Sequence, residues 1–213
     1  MNTRSNAVLK IHDAALRLFT ERGARAVSVS ELADAAGVAR GTIYNNIADP
    51  DALFDQLAAN LLHDMHLRVS ASMSTVADPA MRLAIGVRLF IRQAHTEPAW
   101  ARFVVRFGVS DDTLRRMLDE PPTIDLTRGM HAERFKVTAA QMPAVLALLA
   151  GTTLAAMQGV LAGHQTWRDA GEQVVELILR ALGLSETEAR SIATTQLPAL
   201  APTLRSRKKP RST

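Results

Sequence analysis

Apolar residues recur three and four positions apart along nearly the whole chain. No run alternates apolar with polar residues for long enough to make a half-buried strand. The pattern predicts an all-α protein. A first helix is expected from about Asn6 to Arg22, with Val8, Ile11, Ala15, Leu18 and Phe19 inward and Gly23 just beyond its end. Ser28 and Glu31 then form an S-x-x-E capping box ahead of a short helix that buries Leu32, Ala33 and Ala36. Gly37 stands where a helix ends at positive φ, and Val38 can plug the angle to a second short helix from about Arg40, with Ile43 and Ile47 inward. Two short helices joined this tightly have the layout of a helix-turn-helix, whose second helix enters the DNA major groove.

The rest of the chain is punctuated in the same language. Asp49-Pro50 offers an N-cap and a first-turn proline for a long helix burying Leu53, Phe54, Leu57, Leu61 and Met65. Asp78-Pro79 repeats the device for a helix to about Ala94. Glu97-Pro98 opens another that carries Trp100, Phe103, Val104 and Phe107 and stops at Gly108. Ser110 can cap a short helix to about Leu118, and Pro121-Pro122 is expected to break the helical run. Residues 124–134 read as weakly helical. Thr138 with Gln141 makes a second box, for a long helix to Gly163. Asp169 and Glu172 open the next, which Gly183 closes, and Ser185 with Glu188 opens a last short one. The expected division is a three-helix head at 1–49, a connecting helix at about 50–76, a larger helical domain at 77–197, and a basic, disordered tail at 198–213.

Charge changes this picture less than the pI of 10.1 suggests. Five of the 25 basic residues are Arg205, Arg207, Lys208, Lys209 and Arg211, leaving 20 against 21 acidic ones elsewhere. The first 49 residues hold six basic and five acidic side chains, so the motif and not the net charge points to DNA. Cysteine is absent, which excludes disulfides and thiolate chemistry and agrees with a reducing cytosol, and the N-terminus is too polar for a signal peptide.

Between Lys136 and Arg168 there is no charged residue, a length that would cross a bilayer. Within it Ala147, Gly151, Ala155, Gly159 and Gly163 recur every fourth position, which lets another helix approach closely. A buried helix with one face on its own core and one on a partner fits equally. Pro143, Gln158 and Thr152-Thr153 favour that second reading, and no membrane partner is expected. On the following helix Val175, Ile178, Leu179 and Leu182 share one stripe. Two such helices from each of two subunits would make a four-helix bundle. The candidate dimer interface is therefore Gly151, Ala155, Gly159 and Gly163 together with Val175, Ile178, Leu179 and Leu182.

The segments A-A-L-R-L-F-T-E-R-G (14–23), V-S-V-S-E-L-A-D-A-A-G-V (27–38) and R-G-T-I-Y (40–44) together resemble the tetracycline-repressor (TetR) family of bacterial one-component regulators. The likeness runs from about Val8 to Leu57, roughly a quarter of the chain; beyond it only length and helical character match. It implies a cytoplasmic homodimer, paired through its last two long helices, that binds a pseudo-palindromic operator on double-stranded DNA. It also implies a repressor relieved by a small-molecule effector in an apolar pocket, with no cofactor or metal. The candidate DNA contacts are Ser30, Arg40, Gly41, Thr42, Tyr44, Asn45 and Asn46. Arg40 suits guanine O6 and N7, Asn46 suits adenine, and Gly41 lets the backbone approach. Thr42 and Tyr44 offer hydroxyls to phosphates, and Ser30 a phosphate or base-edge contact; Arg4 can add an arm. Tyr44 packed between helices, and Arg40 as a solvated charge, are the plain alternatives.

Three positions depart from the family pattern. Ala39 replaces the usual Ser or Thr cap, worth about 1 kcal/mol. Asn46-Ile47 replaces an aromatic pair, and Pro50 replaces a common Lys. For a ligand pocket the candidates are Trp100, Phe103, Phe107, Met130, Met157 and Trp167, each of which at helical spacing can equally be core. Met117, Phe135 and Met142 are further apolar candidates, and Arg102, Arg106 and His131 are possible polar anchors. No nucleophile elbow, phosphate loop or E-x-x-H pair argues for an enzyme. His63 and His66 sit three apart, a metal-compatible spacing, but six histidines scattered through a helical chain more often lie on solvated faces. A helical adaptor without sequence preference is the remaining rival, and it leaves the R-G-T-I-Y segment unexplained.

Overall fold

Four of the helices begin at a side chain that accepts a first-turn N–H. A computed structural model describes residues 3–22, 27–46, 49, 52–108 and 112–202, with backbone alone for 3–6, 8, 9, 46 and 112–120. Among the described residues every element is helical. They are α1 (Thr3–Arg22), α2 (Val29–Ala36), α3 (Arg40–Asn46), α4 (Leu53–Ser72) and α5 (Pro79–Thr96), then α6 (Pro98–Phe107), α7 (Asp112–His131), α8 (Met142–Leu161), α9 (Trp167–Ala181) and α10 (Glu186–Ala193). One 3-10 turn, Ala139–Gln141, precedes α8.

Side-chain caps open α2, α5, α9 and α10, and a proline in the first turn marks α5, α6 and α8. Asp78 accepts the Ala80 N–H at 3.2 Å to open α5, and Ser185 accepts the Glu188 N–H at 3.3 Å to open α10. Gly37 adopts φ 64° and closes α2, with its own N–H on the Asp34 carbonyl and the Val38 N–H on that of Ala33.

Several boundaries differ from expectation, each for a local or packing reason. Helix α4 starts at Leu53, and Asp49 caps only the approach, accepting the Ala52 N–H at 3.3 Å. Leu62 rather than Leu61 is its fully buried residue. The prolines at 121 and 122 do not break the chain: α7 runs through them to His131. They remove two donors from the ladder, but Asp125 and Leu126 beyond them are buried against the rest of the molecule, and tertiary packing overrides the local penalty. The Thr138 box opens the 3-10 turn instead of α8 itself, with the Thr138 N–H on Gln141 Oε1 at 2.9 Å. Helix α9 is capped by Thr166, whose hydroxyl oxygen accepts the Asp169 N–H at 3.1 Å, so it begins three residues earlier than the Asp169 signal suggests. Gly23, Ile47, Pro50, Ser110 and the Arg205–Arg211 cluster lie outside the described residues, as do the side chains of Arg4, Val8, Asn46 and Met117.

Helices α1, α2 and α3 pack on one another around Ile11, Phe19, Leu32 and Ile43. Helix α5 is the axis of the larger part and touches α6, α7, α8 and α9. It carries the buried Arg88, whose Nη1 donates to the Thr195 carbonyl at 2.6 Å and whose Nη2 lies 3.6 Å from Glu172. Burial lowers the Arg88 pKa and the Glu172 carboxylate opposes that shift.

The expected dimer stripe on α9 is wrong as drawn. Val175, Ile178, Leu179 and Leu182 are all buried inside the single chain, because that face of α9 packs on α5, α8 and α10. The outward residue of α9 is Leu177, 64% exposed. On α8 the small residues Gly151 and Ala155 do face outward, beside Leu148 at 41% exposure, with Gly159 half-buried and Gly163 exposed just past the helix.

Gly37 offers a clean test of the turn. A Cβ there would meet nothing within 4 Å, so Gly37→Ala costs only its left-handed backbone, about 1 kcal/mol in urea unfolding. Gly37→Asn should cost less, because asparagine tolerates that conformation.

Candidate functional site

The first two helices of the head are locked by one carboxylate. Glu31 Oε2 accepts the Ser28 N–H at 2.9 Å and the Ser28 hydroxyl at 2.8 Å, while Oε1 meets Arg22 of α1 at 2.6 Å. Bonds from the Ser28 N–H and hydroxyl, with the Arg22 guanidinium, hold this carboxyl below its usual range. With α2 so fixed, α3 presents Arg40, Gly41, Tyr44 and Asn45 outward. Tyr44 is 61% exposed, so the alternative in which it packs between helices fails. Ser30 and Thr42 are half-buried, and the Thr42 N–H donates to the Ala39 carbonyl at 2.8 Å. Gly41 has open space where a Cβ would stand, so nothing in the fold demands a glycine there.

The head joins the larger part through aromatic rings. Phe54 of α4 lies 5.4 Å from Phe19 of α1 and 4.9 Å from Phe107 of α6, both edge-on, and 5.4 Å from Phe103. Arg106 donates to the carbonyls of Thr20 and Glu21 at the C-terminal end of α1, where a cation also suits the helix dipole.

This joint corrects the expected pocket. Phe103 and Phe107 belong to it, Trp100 is buried against Phe90 at 5.7 Å, and Trp167 lies between the guanidiniums of Arg92 and Arg168, each 5.2 Å from its ring. Met130 is half-buried away from the cavity. Of the six candidates only Met157 lines the more enclosed, mostly apolar cavity; a second, more open pocket is lined by Arg102, Arg106 and Gln158 and by none of the six. The enclosed cavity, about 80 Å³, sits between α4, α5, α7 and α8. Its apolar wall includes Leu83, Val87, Phe90, Leu149, Leu154 and Met157, with Pro121 and Pro122 closing one side.

The polar residues on its wall escaped the sequence reading. Arg82 Nε donates to Asp125 Oδ1 at 2.7 Å, a contact spanning 43 positions that no short motif encodes. His66 stands beside the Phe90 ring at 5.5 Å, and burial, helped by repulsion from His63, pushes its pKa down to about 4. His63 itself is exposed, and among the described residues no three metal-binding side chains cluster.

Comparison with known proteins agrees with both halves of this geometry. Residues 11–57 match the family model "Bacterial regulatory proteins, tetR family". Residues 78–195, more than half of the chain, match "Tetracyclin repressor-like, C-terminal domain". The chain is similar to the solved structure of RolR in complex with resorcinol, at 25% identity over 93% of this chain and 98% of that one, with a TM-score of 0.69. A regulator from a Shewanella species superposes with a TM-score of 0.73, at 18% identity over 84% of this chain and 99% of its own, a likeness of fold alone. The repressor KstR2 of Mycobacterium tuberculosis is 31% identical over 83 residues, 39% of this chain and 40% of its own length. The chain thus spans about half the length of the curated relatives it matches, or less.

His66 gives the cavity a pH signature. Folded, the imidazole takes a proton only near pH 4; unfolded, it does so near 6.5. The unfolded chain therefore binds more protons between those values, and stability is full above about pH 6.5 and falls as pH drops toward 4. The loss is on the order of 3 kcal/mol. Urea midpoints at pH 7 and 4.5 should differ accordingly, and His66→Gln should remove most of the difference.

Proposed function

The chain belongs to the tetR family of bacterial regulatory proteins, and on that premise we propose that it is a cytoplasmic, homodimeric repressor that leaves its operator when a small molecule enters the cavity between α4, α5, α7 and α8. The domain division is then a DNA-binding head at 1–49, a connecting helix, and a sensing and dimerising part at 77–197. The observation that carries the proposal is the course of α4. One continuous helix holds Phe54 in the joint with the head and His66, Val69 and Ser70 at the cavity, on the order of 18 Å or more further along. A ligand that pushes on the far end of α4 moves the end that seats the head.

On the DNA side, Arg40 reads a guanine, and Thr42 and Tyr44 take phosphates. Gly41 keeps the backbone close to the groove, with Ser30, Asn45 and Asn46 at the edges of the contact. The repressor sign follows KstR2, itself a named repressor, and RolR with bound resorcinol supports a single-ring effector in a cavity of this size.

A second copy covers the apolar outer face of α8, which with the 3-10 turn before it makes 23 uncharged residues from Ala139 to Leu161, mostly outside the core of one chain. With the α9 stripe turned inward, the partner meets Leu148, Gly151, Ala155 and Leu177.

Selection of duplexes from a random pool at physiological salt should return a pseudo-palindrome with half-sites one or more turns apart, about 34 Å per turn. Arg40→Ala should lose that preference, while Gly41→Leu should retain full thermal stability yet bind the site at least about tenfold more weakly. No enrichment by the unmodified protein would instead favour the adaptor. Leu177→Glu, on an exposed position, should leave the helical spectrum unchanged and shift the sedimentation coefficient to that of a monomer. An unchanged coefficient removes α9 from the interface.

A further inference from the structure

The cavity wall carries an ion pair with one side of each partner unused. Asp125 is 4% exposed, and its Oδ1 accepts the Arg82 Nε–H at 2.7 Å with Arg128 Nη1 3.9 Å from the same oxygen. No donor among the described residues reaches Oδ2. Arg82 directs Nη1 to the carbonyls of Met73 at 3.2 Å and Val76 at 3.4 Å, and no acceptor among the described residues meets its Nη2. A carboxylate oxygen left unpaired at this depth keeps its full desolvation penalty until some donor arrives.

We propose that the cavity recognises the hydroxyl group of a small uncharged ring, a phenol, with Asp125 Oδ2 accepting its proton and Arg82 Nη2 donating to its oxygen. The proposal rests on the cavity being the effector site. A hydroxyl is donor and acceptor at once, which is what the two free edges require, whereas a carboxylate only accepts and an ammonium only donates. Among the lining residues Arg82 and Asp125 cancel, Arg128 lies outside the wall and exposed to solvent, and His66, held well below its ordinary pKa by burial, adds no charge at pH 7. An ionic ligand would therefore enter a mostly apolar space with no counter-charge to meet it. The volume, about 80 Å³, and the flanking ring of Phe90 suit one ring.

Phenol and methylbenzene have the same ring and nearly the same shape, and differ by the hydroxyl. Their affinities for the full chain at pH 7, measured by calorimetry, decide the matter. A merely apolar cavity prefers methylbenzene, which is less well hydrated; hydroxyl recognition makes phenol at least about tenfold tighter and excludes benzoate. Asp125→Asn keeps an oxygen for Arg82 but turns an NH2 toward the ligand. It should bring the ratio to about unity or below while leaving methylbenzene binding unchanged. Gly86→Leu, which fills the cavity from α5, should abolish both.

Equal affinities in the unmodified protein, with Gly86→Leu still abolishing binding, would overturn hydroxyl recognition and leave the cavity as effector site. Binding of both rings that survives Gly86→Leu would overturn the cavity as the site, and failure of both rings to bind would overturn both ideas. A phenol preference that persists in folded Asp125→Asn removes Asp125 from the role. Should that variant fail to fold, the ratio in the unmodified protein still decides for or against hydroxyl recognition.

Discussion

Phe54 is the point on which the molecule turns. Its ring touches Phe19 of the head on one side and Phe103 and Phe107 of α6 on the other, so three helices with different duties share one apolar contact. Edge-on aromatic pairs add roughly 0.5–1.5 kcal/mol each beyond the area they bury. That is strong enough to seat the head, and light enough that a ligand's binding energy can reset it. Arg106 adds a polar constraint, because its bonds to the last carbonyls of α1 fix where the head sits on α6. In the proposed mechanism an effector that shifts α4 acts against this joint, and through it on the direction in which α3 faces.

The same economy governs the outer face. Helix α8 is apolar almost all round, yet one chain buries only part of it; α5 and α9 take the side with Val145, Leu149 and Met157, leaving Gly151 and Ala155 outside. Small residues at fourfold spacing let a second helix come close enough for its backbone to exclude water. In the proposed dimer this face and the head are connected through α6, which packs on both α1 and α8. A change in head orientation is then measured against the partner, where half-site spacing is decided.

What the sequence made legible was whatever is encoded within one turn of helix. The Ser28–Glu31 box, the Asp78 and Ser185 caps and the left-handed Gly37 all form as the residue types demand, because each needs only neighbours three or four positions away. The exposed α3 surface followed from the same local pattern. Prolines 121 and 122 misled because their penalty is local and the packing that overrides it is not. Val175, Ile178, Leu179 and Leu182 misled differently: periodicity shows that a helix has an apolar face, not whether its own chain or a partner covers it. The pocket was least legible, since aromatic residues are equally good at joints and at walls. Its polar wall depends on Arg82 meeting Asp125 across two helices.

That pair also marks where folding and function part company. Two charges taken out of water recover their desolvation only with good geometry, and apolar residues of similar volume often serve stability as well or better. One edge of Arg82 has a structural duty, since its bonds to Met73 and Val76 hold the turn between α4 and α5. Arg88, more deeply buried than Arg82, is accounted for in that way altogether, by Thr195 and Glu172. Asp125 has no comparable duty: among the described residues it fastens no backbone, and it lines a cavity whose walls are otherwise mostly apolar. A fold selected for stability alone would replace that carboxylate. Under the proposed reading it serves as a recognition group, beside the α4 residues that connect the cavity to the head.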